Sequence, residues 1–210
     1  VWNRSPEPVV ALEARGAVAA ASPADAFDAG VVFSMLADDA SVRAVILDSG
    51  VLSATREGVV HVNCATISVA LGRQLAEAHA AAGLSYLSAP VFGRPDAAAN
   101  ALLHIIVAGD SVVIDRMQPL FDVLGQKTWR VGDEASRANV VKIAGNFMLV
   151  SAIEAMGEAS ALVEGYDVSA GTFLEIMSST LFASPVYKGY GAVIAERRYE
   201  PAGFALTLGL

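Results

Sequence analysis

Short apolar, β-branched runs alternate along residues 1–132 with stretches of helical spacing. The runs are "GAVAAAS", "AGVVFSML", "GVVHVNCATIS", "LSYLSAP", "LLHIIVAG" and "KTWRVGD"; each is short and bounded by turn residues, and each predicts a strand. "VWNRS", at the start, reads as the end of one more. Between them, "DDASVRAVILDS" opens on capping acids, and "SVALGRQLAEAHAAAG" opens on a Ser cap and closes on Gly. Strands with consecutive apolar positions are buried on both faces. The alternation therefore predicts an α/β fold, a Rossmann-like doubly wound sheet over residues 1–135.

From Ser136 the pattern changes, and no strand is expected beyond it. Apolar positions extend through one long helix to Leu162 or Val163, closed by the Gly of "EGYD"; "DVSAGTFLEIMSST" and "SPVYKGYGAVIAERRYE" predict two more helices. Residues 136–210 thus read as an all-helical domain that begins with an interdomain helix. Within "RANVVKIAGNFMLV", Asn139, Lys142 and Asn146 fall at i, i+3 and i+7 and form one polar stripe. Ser151, Glu154 and Glu158 lie on the opposite side of the helix. If the acidic face is wet, Lys142 points inward, where desolvation lowers an ammonium pKa and suits it to proton donation. The alternative is a lysine that snorkels to water between domains.

Composition narrows the partners. The 210 residues are 54% hydrophobic and 17% charged, enough apolar content for a large core, and the net charge of -8 argues against nucleic acid or an anionic membrane. No uninterrupted apolar run reaches membrane-spanning length, and the lone Cys64 allows neither an internal disulfide nor a cysteine metal cluster. A cytoplasmic setting is expected, with no metal. His61, His79 and His104 lack metal-ligand spacing and read as structural. The long helix, apolar around most of its circumference, is expected to be covered by a second copy in a homodimer.

In an open parallel sheet, ligands lie beyond the carboxyl ends of the strands. That rule places Leu36, Ala37 and Ser41 of "SMLADDAS", and Thr66 of "NCATIS", along a cofactor crevice, unless these turns serve only as helix caps. At the end of "VWNRS", Asn3, Arg4 and Ser5 stand where, in a dinucleotide-binding fold, an acid would bind the ribose of NAD; an Arg there suits the 2′-phosphate of NADP, unless it is only an exposed residue at the chain start. No GxGxxG turn occurs in the chain. In "SAPVFGRPDAAAN", Pro90, Gly93 and Pro95 fix a turn after Ser88, and Arg94 offers a fork donor suited to a carboxylate.

Together, "VWNRS", "VVFSMLADD", "HVNCATIS", "SAPVFGRPDAA" and "ANVVKIAGNFML", in this order and spacing, resemble the β-hydroxyacid dehydrogenases, which include 3-hydroxyisobutyrate dehydrogenases and glyoxylate and succinic semialdehyde reductases and share a 6-phosphogluconate dehydrogenase-type NAD(P) domain. The resemblance covers essentially the whole chain. It implies an active site in the cleft between the two domains, with Lys142 as catalytic lysine and Asn146 as its assistant. It further implies NADP, in preference to NAD, with Thr66, Leu36 and Ala37 beside the cofactor and Arg4 at the NADP-selecting place, joining Asn3, Ser5 and Ser41 of the strand-end reading, and a small β-hydroxyacid or its carbonyl as substrate. The family's substrate loop usually reads P-V-S-G-G; here Phe92, Gly93 and Arg94 follow Pro90 and Val91. Arg94 then replaces the carboxylate contact, or Phe92 marks a bulkier, less polar substrate. Imine reductases are relatives that alter this loop and usually lack the lysine; a catalytically silent NADP-binding scaffold is the remaining alternative. The resemblance also leads us to expect both ends to be truncated, with a βα unit carrying the Gly-rich turn before "VWNRS" and a Lys-Asp pair after "FALTLGL".

Overall fold

The computed structural model describes residues 1–200, and "PAGFALTLGL", with whatever follows it, lies outside them. The chain forms two compact units, Val1–Lys142 and the remainder from Ile143. The first unit runs α1 (Pro6–Glu13), α2 (Pro23–Phe27), β1 (Val31–Ser34), α3 (Asp39–Val42, continued by a π-helical turn at Arg43–Leu47), α4 (Val51–Ala54), β2 (Val60–Asn63) and α5 (Val69–Ala81). It continues β3 (Ser85–Ser88), β4 (Val91–Phe92), α6 (Pro95–Ala99), β5 (Leu103–Val107), α7 (Ser111–Leu124) and β6 (Gly125–Arg130).

Strands β1, β2 and β3 pair in parallel, with Ser34, Asn63 and Ser88 in register at their carboxyl ends. The expected uniform sheet is replaced beyond β3 by a second, mixed one. There β4 pairs antiparallel with β5, β5 pairs parallel with β6, and a bridge between Ser88 and Ala108 joins the two sheets. β3 runs on through Ser88 into β4 in one register against β5, Ser88 opposite Ala108 and Val91 opposite Ile105, and the chain reverses through α6, a connection between β4 and β5 too short for a parallel crossover.

Two expected strands do not form. "VWNRS" and "GAVAAAS" lie outside the sheet, whose order begins at β1, and meet through two bonds, from the Val1 nitrogen to the Val18 carbonyl at 2.6 Å and from the Ala20 amide to the Val1 carbonyl at 2.8 Å. Alanines give such a segment little side chain to pack across a strand pair, so pattern alone does not make a ladder.

Alternation along β2 organises the core. Val60 and Val62 pack with Leu87, Ile105, Val107 and the α7 residues Val113, Ile114, Met117 and Phe121. On the other face, Phe27, Leu71, Leu75 and Tyr86 form the second cluster with Val42, Ile46 and Val51. Helices therefore cover both faces of the sheet. The N-terminus of α5 is fixed by Ser68, whose side chain accepts from the Leu71 amide, as the sequence predicts.

Helix α8 (Ser136–Glu164) begins in the first unit and continues in the second, which adds α9 (Ala170–Ser179) and α10 (Pro185–Ala195). Ser169 and Ser184 cap the last two helices, and Gly191 lets α10 approach Leu174 of α9 and Met156 of α8. Contrary to expectation, α8 is long and apolar enough by length and composition to cross a membrane, although only 11% of its most apolar window is buried. The mean over a window tolerates the isolated polar residues that interrupt each apolar run. The exposed positions include Val140, Val141, Phe147 and Met148 as well as Ser151, Glu154 and Glu158, so the outward face is apolar at one end and acidic further on.

Candidate active site

The carboxyl ends of β1 and β2 are followed by two turns that lead into α3 and α5, the arrangement that makes a crevice in an open α/β sheet. Side chains lock these turns. Asp38 caps α3 by accepting from the Ser41 amide at 2.7 Å, and this bond, with the Ser41 hydroxyl, holds its carboxyl below the usual range; Arg4 adds a smaller pull. Asp39 then ties one turn to the other, accepting from the Ser68 amide at 2.8 Å and from the Ser68 hydroxyl.

Leu36 packs on the core beneath the first turn, Ala37 is exposed, and Thr66 is half-buried in the second turn. Asn3, Arg4 and Ser5 are all exposed. Asn3 donates to the Ser5 carbonyl at 3.0 Å, a local bond that shapes the entry to α1. Arg4 is thus near enough to act on Asp38 at the first turn, though it does not stand at a strand end. Cys64 sits between the two turns' supports, and burial pushes its thiol up to about 12, an inert group at neutral pH.

The other wall is positioned by β3 running on into β4, so that the turn expected after Ser88 is delayed to Gly93. Pro90 offers its carbonyl to the Ile106 amide at 2.9 Å, and Ala89 donates to the Asn63 carbonyl at 2.8 Å. Gly93 has φ of 142°, and a Cβ there would come within 2.7 Å of Leu103 Cδ2, so this turn requires glycine. Arg94 is exposed at the start of α6.

The first turns of α8 belong to this unit. Ser88 donates to Asn139 Oδ1 at 3.0 Å, and Asn139 lies so close to Gly72 of α5 that a Cβ on the glycine would meet Oδ1 at 2.5 Å. One turn on, the Lys142 ammonium stands 4.3 Å from the centre of the Phe92 ring. Burial pushes its pKa down to about 8, while the ring face supplies an attractive quadrupole. Asn146, a further turn along α8, is buried and belongs to the second unit.

The first unit therefore brings together Lys142, Phe92 and Gly93, and separately Arg4, Leu36, Ala37, Ser41 and Thr66 around two linked turns. Sequence reasoning missed Asp39, Ser88 and the polar residues Ser34, His61 and Asn63 beneath the turns. The signal for His61 and Asn63 was the alternation in "VHVN", which puts both on one face of β2.

Residues 1–132 match the NAD binding domain of 6-phosphogluconate dehydrogenase. The chain is 45% identical to the uncharacterized oxidoreductase YfjR of Bacillus subtilis, over its whole length and 74% of that protein. It is 32% identical to the NAD-dependent L-serine dehydrogenase of Pseudomonas aeruginosa, over 94% of this chain and 68% of the other. Among solved structures, 3-hydroxyisobutyrate dehydrogenase from Salmonella typhimurium superposes with a TM-score of 0.83 at 25% identity, covering 95% of this chain and 70% of that one. Imine reductases are also among the structural neighbours; the one from Streptomyces aurantiacus has a TM-score of 0.74 at 22% identity, covering 94% of this chain and 65% of the other, a likeness of fold.

Proposed function

Because the chain belongs to the β-hydroxyacid dehydrogenase family, built on the NAD-binding domain of 6-phosphogluconate dehydrogenase, we propose that it is an NADP(H)-dependent oxidoreductase that interconverts a small β-hydroxyacid and its carbonyl form. The observation that carries this reading is Lys142, half-buried over Phe92 with its pKa pushed down to about 8. An ammonium of that strength can give up its proton near neutral pH, and the amine can take one back.

The residues present suit a dinucleotide along part of its length. The two locked turns and the helix N-termini behind them offer backbone amides at the strand ends, and Arg4, acting on Asp38, supplies the cation that a 2′-phosphate needs. When bound, nicotinamide supplies the hydride for reduction and accepts it in oxidation. Lys142 donates a proton to the carbonyl oxygen as it becomes an alkoxide, or removes it from the hydroxyl in reverse. Asn146, next in the polar stripe of α8, is the amide that orients the substrate. Phe92 presents an apolar face beside the lysine, while Arg94 is the candidate partner for a substrate carboxylate.

Phe92 also favours a second reading, imine reduction, in which the apolar wall accepts a cyclic substrate without a carboxylate. Initial rates separate the two. Faster NADPH-dependent turnover of small semialdehydes than of cyclic imines supports the hydroxyacid reading, and the reverse order replaces it. We further infer a homodimer through the outward face of α8, where Phe147 and Met148 are 64% and 71% exposed. Charged substitutions at both positions should leave a monomer in light scattering.

A further inference from the structure

Beneath the two cofactor turns lies a buried chain of hydrogen bonds. His79 Nδ1 is 2.6 Å from the Leu75 carbonyl, His79 Nε2 is 2.8 Å from His61 Nδ1, and His61 Nε2 is 2.8 Å from Ser34 Oγ. Ser34 Oγ is in turn 3.1 Å from Asn63 Oδ1, which also accepts from the Ala65 amide at 3.1 Å. Both histidines are fully buried, facing each other, Ser34 of β1, Phe27 of α2 and Tyr86 of β3.

The directions of these bonds follow from one fixed end. A carbonyl can only accept, so His79 carries its proton on Nδ1 and, when neutral, accepts at Nε2. His61 must then donate from Nδ1 and accept at Nε2, and the Ser34 hydroxyl must donate to it. Ser34 has no second proton for Asn63. The Asn63 oxygen is fixed as an oxygen by the Ala65 amide, so it is held by that amide alone. Burial keeps the pair neutral, pushing His79 down to about 4 and His61 well below its ordinary value.

We propose that His61 and His79 are positioning residues for the dinucleotide crevice: as a tautomer-locked neutral pair they direct the Ser34 hydroxyl to His61, so that the Asn63 oxygen takes the Ala65 amide as its one donor and holds the turn that carries Thr66. This rests on the reading that the Thr66 turn faces the dinucleotide. If the acceptor at position 79 is lost, His61 has nothing to donate to from Nδ1. It shifts its proton to Nε2, donates to Ser34, and frees the serine to place a second donor on the Asn63 oxygen that holds the Ala65 amide.

The test compares His79→Phe, which removes the acceptor, with His79→Gln, which keeps one. Histidine nitrogen NMR of the purified protein should show both rings protonated at Nδ1 only, and His79→Phe should move the His61 proton to Nε2. His79→Phe should also raise the KM for NADPH severalfold, because two donors on one oxygen are each held more weakly than one alone, with kcat much less changed. His79→Gln should restore the wild-type KM. Wild-type His61 protonated at Nε2, or equal KM changes in the two variants, overturns the proposal. If His79→Phe does not fold, the wild-type spectrum decides alone. NADPH bound with no turnover of semialdehydes or imines refutes the oxidoreductase reading, whereas turnover with the opposite tautomers refutes only the positioning role.

Discussion

Gly72 of α5 lies against Asn139 and Ser136 of α8, and its replacement by Ala tests whether that contact sets the position of the lysine-bearing helix. The added Cβ would lie 2.5 Å from Asn139 Oδ1 and 3.3 Å from Asn139 Cγ, closer than atoms can stay. Asn139 is 1% exposed, so its side chain must shift inside the protein and give up its bond from Ser88. Overpacking costs about 1–3 kcal/mol. The lost buried hydrogen bond adds about 1 kcal/mol, and the helical preference of Ala over Gly returns about 1 kcal/mol. The net loss is about 1–3 kcal/mol, or a Tm lower by about 2–12 °C for a chain of this size. Gly157 of α8 is the control, because nothing lies within 4 Å of its added Cβ. Gly157→Ala should raise Tm by a few degrees through helix propensity alone. Thermal unfolding by circular dichroism reads both. If Gly72→Ala is as stabilising as Gly157→Ala, the tight approach of the two helices is wrong.

Other expectations follow from the same contacts. With Lys142 pushed down to about 8 by burial, carbonyl reduction should slow as pH rises through about 8, and alcohol oxidation should speed up over the same range. The unfolded chain holds the lysine proton up to about 10.4, so stability should rise with pH between these values, and Lys142→Met should flatten that slope. Phe92→Ser opens the lysine to water, so the limb of the pH profile should move upward; a downward shift would mean that loss of the ring's attraction outweighs rehydration. Asp39→Ala should cost about 1–3 kcal/mol in urea unfolding and raise the KM for the dinucleotide, since it removes both bonds between the turns.

The chain makes its local features plain and hides its long-range ones. The polar stripe of α8 can be counted on a helical wheel, and the Ser68 cap announces α5. "GAVAAAS" shows the limit of that reasoning, because a strand needs a partner as well as a pattern. The clamp of Asp39 on Ser68 and the bond of Ser88 to Asn139 join residues far apart in sequence, and no spacing rule connects them. The Phe92 ring beneath Lys142 was legible only as a bulky residue in a turn; its meeting with the ammonium depends on how α8 enters the first unit. Similarly, His61 and His79 read as ordinary core residues until β2 and α5 are brought together.

The proton-transfer role of Lys142 is most directly tested by Lys142→Ala, with steady-state turnover and dinucleotide binding measured on the same preparation. The account predicts that kcat falls by about 10²–10⁴-fold while the dinucleotide Kd stays within error of the wild type. Unchanged turnover at full dinucleotide occupancy would remove Lys142 from the reaction.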